Sequence, residues 1–167
     1  MRTALDADPS QLDEHERSFV DNVRKHGWMC MSIAADAEGP RFAYTTGFWL
    51  NLNFPEIITF SLGGGSAHDT LWHVFREIKC GRRFKIREPA ADVFVNLNAF
   101  LLPVPTRQFE QYLGWSRWFY GGDAFQCVQL VWPDRNGNFP WQAGFVDDTG
   151  IAQPDLTGAH WSRLGRN

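Results

Sequence analysis

Residues 28–48, WMCMSIAADAEGPRFAYTTGF, decide how the rest of the chain is read. Residues 28–34 carry no charge, residues 36–40 (Asp36, Ala37, Glu38, Gly39, Pro40) have the chemistry of a turn, and residues 41–48 resume an apolar run. The stretch predicts two antiparallel strands. Along the second, Phe42, Tyr44, Thr46 and Phe48 alternate with Ala43, Thr45 and Gly47, so one face is bulky and its reverse nearly bare. A bare face invites close approach by backbone or by a ligand.

Upstream, Ser10 is placed to cap a helix over residues 11–26, with Leu12, Phe19, Val20 and Val23 at helical spacing and Gly27 beyond its end. Downstream, a loop (49–55) leads to a strand (56–62), three glycines, and a second helix that begins at a Ser66 cap, carries Leu71, Val74, Phe75 and Ile78 on one stripe, and stops at Gly81. Two extended pieces are predicted in residues 82–104, the first basic (82–87) and the second spanning 93–102 after a break at Pro89. A short helix from Thr106, an aromatic loop over 115–122, a strand over 125–132 and a return strand over 139–145 complete the reading. The fold class expected is α+β: a mostly antiparallel, barrel-like sheet flanked by two amphipathic helices.

With 8 Trp, 14 Phe and 3 Tyr in 167 residues, there is core for one domain but not two, and residues 1–9 and 147–167 are expected as a polar lead and a loosely ordered tail. The net charge of −3 offers no chain-wide attraction to nucleic acid or acidic membrane. Three cysteines without a C-x-x-C pair suit reduced, cytoplasmic thiols, and an acidic N-terminus is unlike an export leader. The five histidines show no i, i+4 pair, so no metal site is expected.

Four features carry chemistry. Gly63, Gly64, Gly65 and Ser66, between strand and helix, form a candidate anion cradle. The same residues approach a nucleophile elbow, with Ser66 as nucleophile and His160 as base, which makes a serine hydrolase the remote reading. Arg76, Lys79, Arg82, Arg83, Lys85 and Arg87 concentrate positive charge; the first two suit a helix C-terminus, whereas Arg82 and Arg83 have no such local reason and suit a phosphate. Trp115, Trp118 and Tyr120, beside glycines, suit a protein partner or the filling of a small barrel.

Several phrases together resemble a bacterial domain-of-unknown-function family, number 4262: His26-Gly27-Trp28, residues 42–48, Phe54-Pro55-Glu56, Phe119-Tyr120-Gly121, and residues 129–134 with Gly137 and Phe139-Pro140-Trp141. The resemblance implies a bacterial setting and transfers no catalytic residue. The order of elements from residue 31 to 79 also resembles the split β-barrel of flavin reductases and pyridoxamine phosphate oxidases. That resemblance implies flavin mononucleotide (FMN) in a groove completed by a second subunit, hence a homodimer; Trp49 and Phe54 stand where such enzymes present small residues.

The expectation is a small-molecule binding protein for a planar, phosphorylated ligand, with Tyr44, Thr45, Thr46, Gly47, Trp49, Gly64, Gly65, Ser66, Arg82, Arg83 and Trp132 around one hollow. The alternative is a non-catalytic immunity or adaptor module. Whether the protein is an enzyme is left open by the sequence.

Overall fold

The computed structural model describes residues 2–146, 153–158 and 160–164. Strands β1 (Met29–Ile33), β2 (Phe42–Thr46), β3 (Glu56–Phe60), β4 (Pro89–Phe94), β5 (Leu97–Val104) and β6 (Cys127–Val131) make one sheet of order β1-β2-β3-β6-β5-β4. All neighbours are antiparallel except β3 and β6, which pair in parallel at its centre. β1 and β4 are its edges, so the sheet is open rather than closed on itself among the described residues.

The first helix, α1 (Glu14–His26), starts three residues later than its apolar pattern predicts. Asp13, not Ser10, is the cap: its carboxylate accepts from the Glu16 N–H while Glu16 reaches back to the Asp13 N–H, and Ser10 bonds to Asp8 in a preceding 3₁₀ turn. Gly27 ends the helix in the left-handed conformation, at φ 83°. The second long helix, α3 (Gly64–Lys79), begins inside the glycine run, which places exposed Ser66 in its first turn instead of at the cap.

The two long helices cover opposite faces. Under α3 lie Trp28, Ala43, Ile57, Val128 and Leu130, packed against Leu71, Val74, Phe75 and Ile78. On the other face, Phe19 and Val23 of α1 join Tyr44, Ile58, Phe60 and Cys127 with two further helices, α4 (Phe109–Tyr112) and α5 (Gly114–Tyr120). A short helix, α2 (Phe48–Leu52), fills the connection expected as a loop. Both cores are dominated by rings, whose offset and edge-on contacts stabilise beyond their buried area.

Three expectations are corrected. The basic piece 82–87 is not a strand; the hairpin after it is β4–β5, shifted along the chain. Residues 115–120 are helical, because packing of Trp115 and Phe119 on Phe19 settles a segment whose aromatic residues have only middling helix propensity. Residues 139–145 form turns rather than a strand: β6 is already paired on both sides, with β3 and β5. Within the expected tail, residues 153–158 are fastened to the sheet. Gln129 donates to the Pro154 carbonyl (2.7 Å) and accepts from the Leu156 N–H (3.0 Å), and Gln153 bonds both main-chain groups of Trp132.

Candidate functional site

The largest concentration of buried polar chemistry centres on Glu56, a residue fully removed from solvent. It opens β3, and no cation among the described residues pairs with it. Four donors converge on the carboxylate: the Thr45 hydroxyl at 2.5 Å, the Gly47 N–H at 2.8 Å, the Trp49 N–H at 3.0 Å, and the Tyr120 hydroxyl. Local geometry explains the convergence. The β2–β3 ladder ends at Tyr44 and Ile58, so the Thr45 hydroxyl takes the place of a ladder carbonyl and accepts from the Ile57 N–H at 2.9 Å. Thr46 meets Ser116 of α5 at 2.7 Å, which ties the helix to the same point.

Burial pushes the Glu56 carboxyl up, outweighing the hydrogen bonds from Thr45, Tyr120, Trp49 and Gly47 that pull it down. Burial likewise raises the Tyr120 hydroxyl, with the neighbouring carboxylate adding to it, and drives the Cys127 thiol on the paired strand well above its ordinary value. Gly47, at φ 115°, is indispensable to this arrangement. A Cβ there would stand 2.6 Å from the Gly27 carbonyl oxygen and 2.9 Å from the Trp28 Cα. The bare strand face thus receives backbone and helix: Thr45 is fully buried, and Ala43 is covered by α3.

Of the remaining predicted residues, Trp49 and Tyr120 reach Glu56 and the others do not gather around it. Tyr44 is buried and its hydroxyl accepts from the Trp115 N–H at 3.3 Å; burial pushes it up to about 12. Trp49 is half-buried, held through its N–H to Glu56. Gly64, Gly65 and Ser66 open α3. Arg82 has the local partners that the sequence reading denied it: Asp92 at 2.7 Å, Glu77 at 3.4 Å, and the ring of Phe84 beneath it. Folding of the β4–β5 hairpin brings Asp92 there. Arg83 is exposed, and the indole N–H of Trp132 donates to the Phe60 carbonyl at 2.9 Å. Trp115 and Trp118 are half-buried against Phe19, and Tyr120 is buried. The side chain of His160 lies outside the described residues.

An open site that the sequence reading did not single out lies on the α3 side. It is a cleft of about 470 Å³ between the end of α1, the start of β1 and α3. Trp28, only 4% exposed, forms its base, in stacked contact with His68 (centroids 5.8 Å apart) and Trp72 (5.9 Å) of α3. Asn22 and His26 come from α1, and Met29 and Cys30 from β1. Spacing could have found the α3 wall, since His68 and Trp72 are four apart and share a helix face. Nothing local in the sequence joins them to Trp28.

The cleft and the buried node touch through one turn. Asn51 of α2 donates to the Gly27 carbonyl at 2.7 Å, and Gly47 abuts Gly27 and Trp28, so the connection that Glu56 holds is also the support behind the cleft's base. No carboxylate lines the cleft, and burial pushes the Cys30 thiol up to about 11, which keeps it protonated at neutral pH. No group of three or more His, Cys, Asp or Glu among the described residues is arranged to hold a metal ion, and no described helix is long and apolar enough to cross a membrane.

A family model described as "Domain of unknown function (DUF4262)" matches residues 22–146, a span that includes the whole cleft and the Glu56 node. No curated protein and no solved structure matches the chain.

Proposed function

The chain belongs to the DUF4262 family, and we propose that it is a small-molecule binding protein whose ligand is planar and lies against the partly open His68 and Trp72 rings, which Trp28 backs. One observation carries this reading: a cleft of ligand size whose base is a set of near-parallel aromatic rings and whose rim is a few neutral or basic polar groups. Flat rings stack favourably on such a base, and Asn22, His26 and His68 supply hydrogen bonds that fix orientation.

Binding is favoured over catalysis by the state of the nucleophiles. The Cys30 thiol is held neutral, and Ser66 is exposed on a regular helix instead of in a strained turn. FMN is the first probe because it combines a flat heterocycle with a phosphate. A thermal-shift screen of flat heterocycles led by FMN is expected to raise the melting temperature of the wild type and to leave Trp72→Ala unmoved. A screen without a stabilising compound, or shifts that survive in Trp72→Ala, would overturn the reading.

A further inference from the structure

Strand β1 runs on past Cys30, where it borders the cleft, to Ile33. Beside it opens a second hollow of about 270 Å³, bordered by Ser32 of β1, Ala43 of β2, Leu62 and Ala67, with Arg41 at its rim. Cys30 and Ser32 are two apart on one strand, so they face the same side about 7 Å from each other. On the opposite wall His68 borders the first hollow and Ala67, its chain neighbour on α3, borders the second. The hollows therefore lie side by side between the same strand and the same helix, and β1 is an edge strand, so no further strand closes their outer side.

The two ends differ in chemistry. One is aromatic; the other is apolar except for the Ser32 hydroxyl and an exposed guanidinium. Arg41, like Arg17, Arg83 and Arg87, lies within ion-pair distance of no carboxylate among the described residues, and it is the one of these that borders a hollow beside the ring site. A guanidinium left unpaired at the lip of an apolar hollow suits an oxyanion, which it can meet with two parallel hydrogen bonds.

We infer that the two hollows form one trough for an elongated ligand, with a flat ring against Trp72 and His68 and a phosphate monoester on a short flexible arm reaching Arg41. The inference rests on the ring site proposed above and adds the ligand's second half. FMN and riboflavin differ only in the phosphate, and their fluorescence is quenched on stacking against indole, so titrations of both against wild type, Arg41→Gln and Trp72→Ala test it. The wild type is expected to bind FMN at least about tenfold more tightly than riboflavin at low salt, as a charge-assisted contact implies. Arg41→Gln should lower FMN to the riboflavin level without changing riboflavin binding or melting temperature, and Trp72→Ala should weaken both. Equal binding of the two flavins, or a preference that survives Arg41→Gln, would overturn the trough and leave the ring site standing. Binding of neither flavin would overturn the trough, and if no other flat heterocycle of the screen binds, the ring site falls with it.

Discussion

The Glu56 node and the aromatic cleft share a wall and are opposites in every other respect. In the node, four donors meet one carboxylate with no solvent contact. In the cleft, the rings of Trp72 and His68 keep part of their surface open and the lining carries no carboxylate. The contrast teaches that a cluster of polar residues is not by itself a site. Groups that satisfy one another in the interior hold the fold, and groups left partly open on a rigid base are available to a ligand.

Substitution at the node sharpens the comparison most. Glu56→Leu takes the acceptor from the Trp49 N–H and from the Thr45 and Tyr120 hydroxyls and leaves the Gly47 N–H only the Tyr120 oxygen, and at about 1–3 kcal/mol for each unsatisfied group, partly relieved by rearrangement, a loss of about 4 kcal/mol is expected in urea unfolding. A loss below about 1 kcal/mol would show that the node is dispensable and that the two regions differ less than their geometry says.

A smaller effect is expected from pH. The folded-state pKa of Glu56 is raised, so the stability linked to it is fully present below the ordinary carboxylate range and is lost as pH rises through the raised value. Glu56→Gln keeps an acceptor for the two N–H groups and has no proton to lose. Unfolding free energies measured from pH 4.5 upward should fall with pH in the wild type more steeply than in Glu56→Gln; parallel curves would contradict the assignment.

Legibility in the sequence followed the range of the interactions. α1, α3, the β1–β2 pair and β6 were readable because each repeats a local apolar period between turn residues. The return strand expected over 139–145 failed because no local pattern says that β6 is occupied on both sides. Glu56 went unassigned for the same reason: its partners are 7 to 64 residues away, and a single acid at the head of an apolar strand carries no signature of its own. Thr45 and Gly47 were singled out for their small size. That size serves the approach of Gly27 and of Glu56. The cleft was hidden by distribution, since Trp28 lies in the α1–β1 connection and His68 and Trp72 on a helix 40 residues or more further along the chain.

The central claim is that the rings at the α3 cleft, and not those of α5, meet a ligand. The most direct measurement follows the indole N–H signals of the eight tryptophans by ¹⁵N–¹H NMR during an FMN titration. The account predicts saturable shifts for Trp28 and Trp72, with Trp115 and Trp118 unmoved. Shifts led by Trp115 and Trp118, or none at any tryptophan, would contradict it.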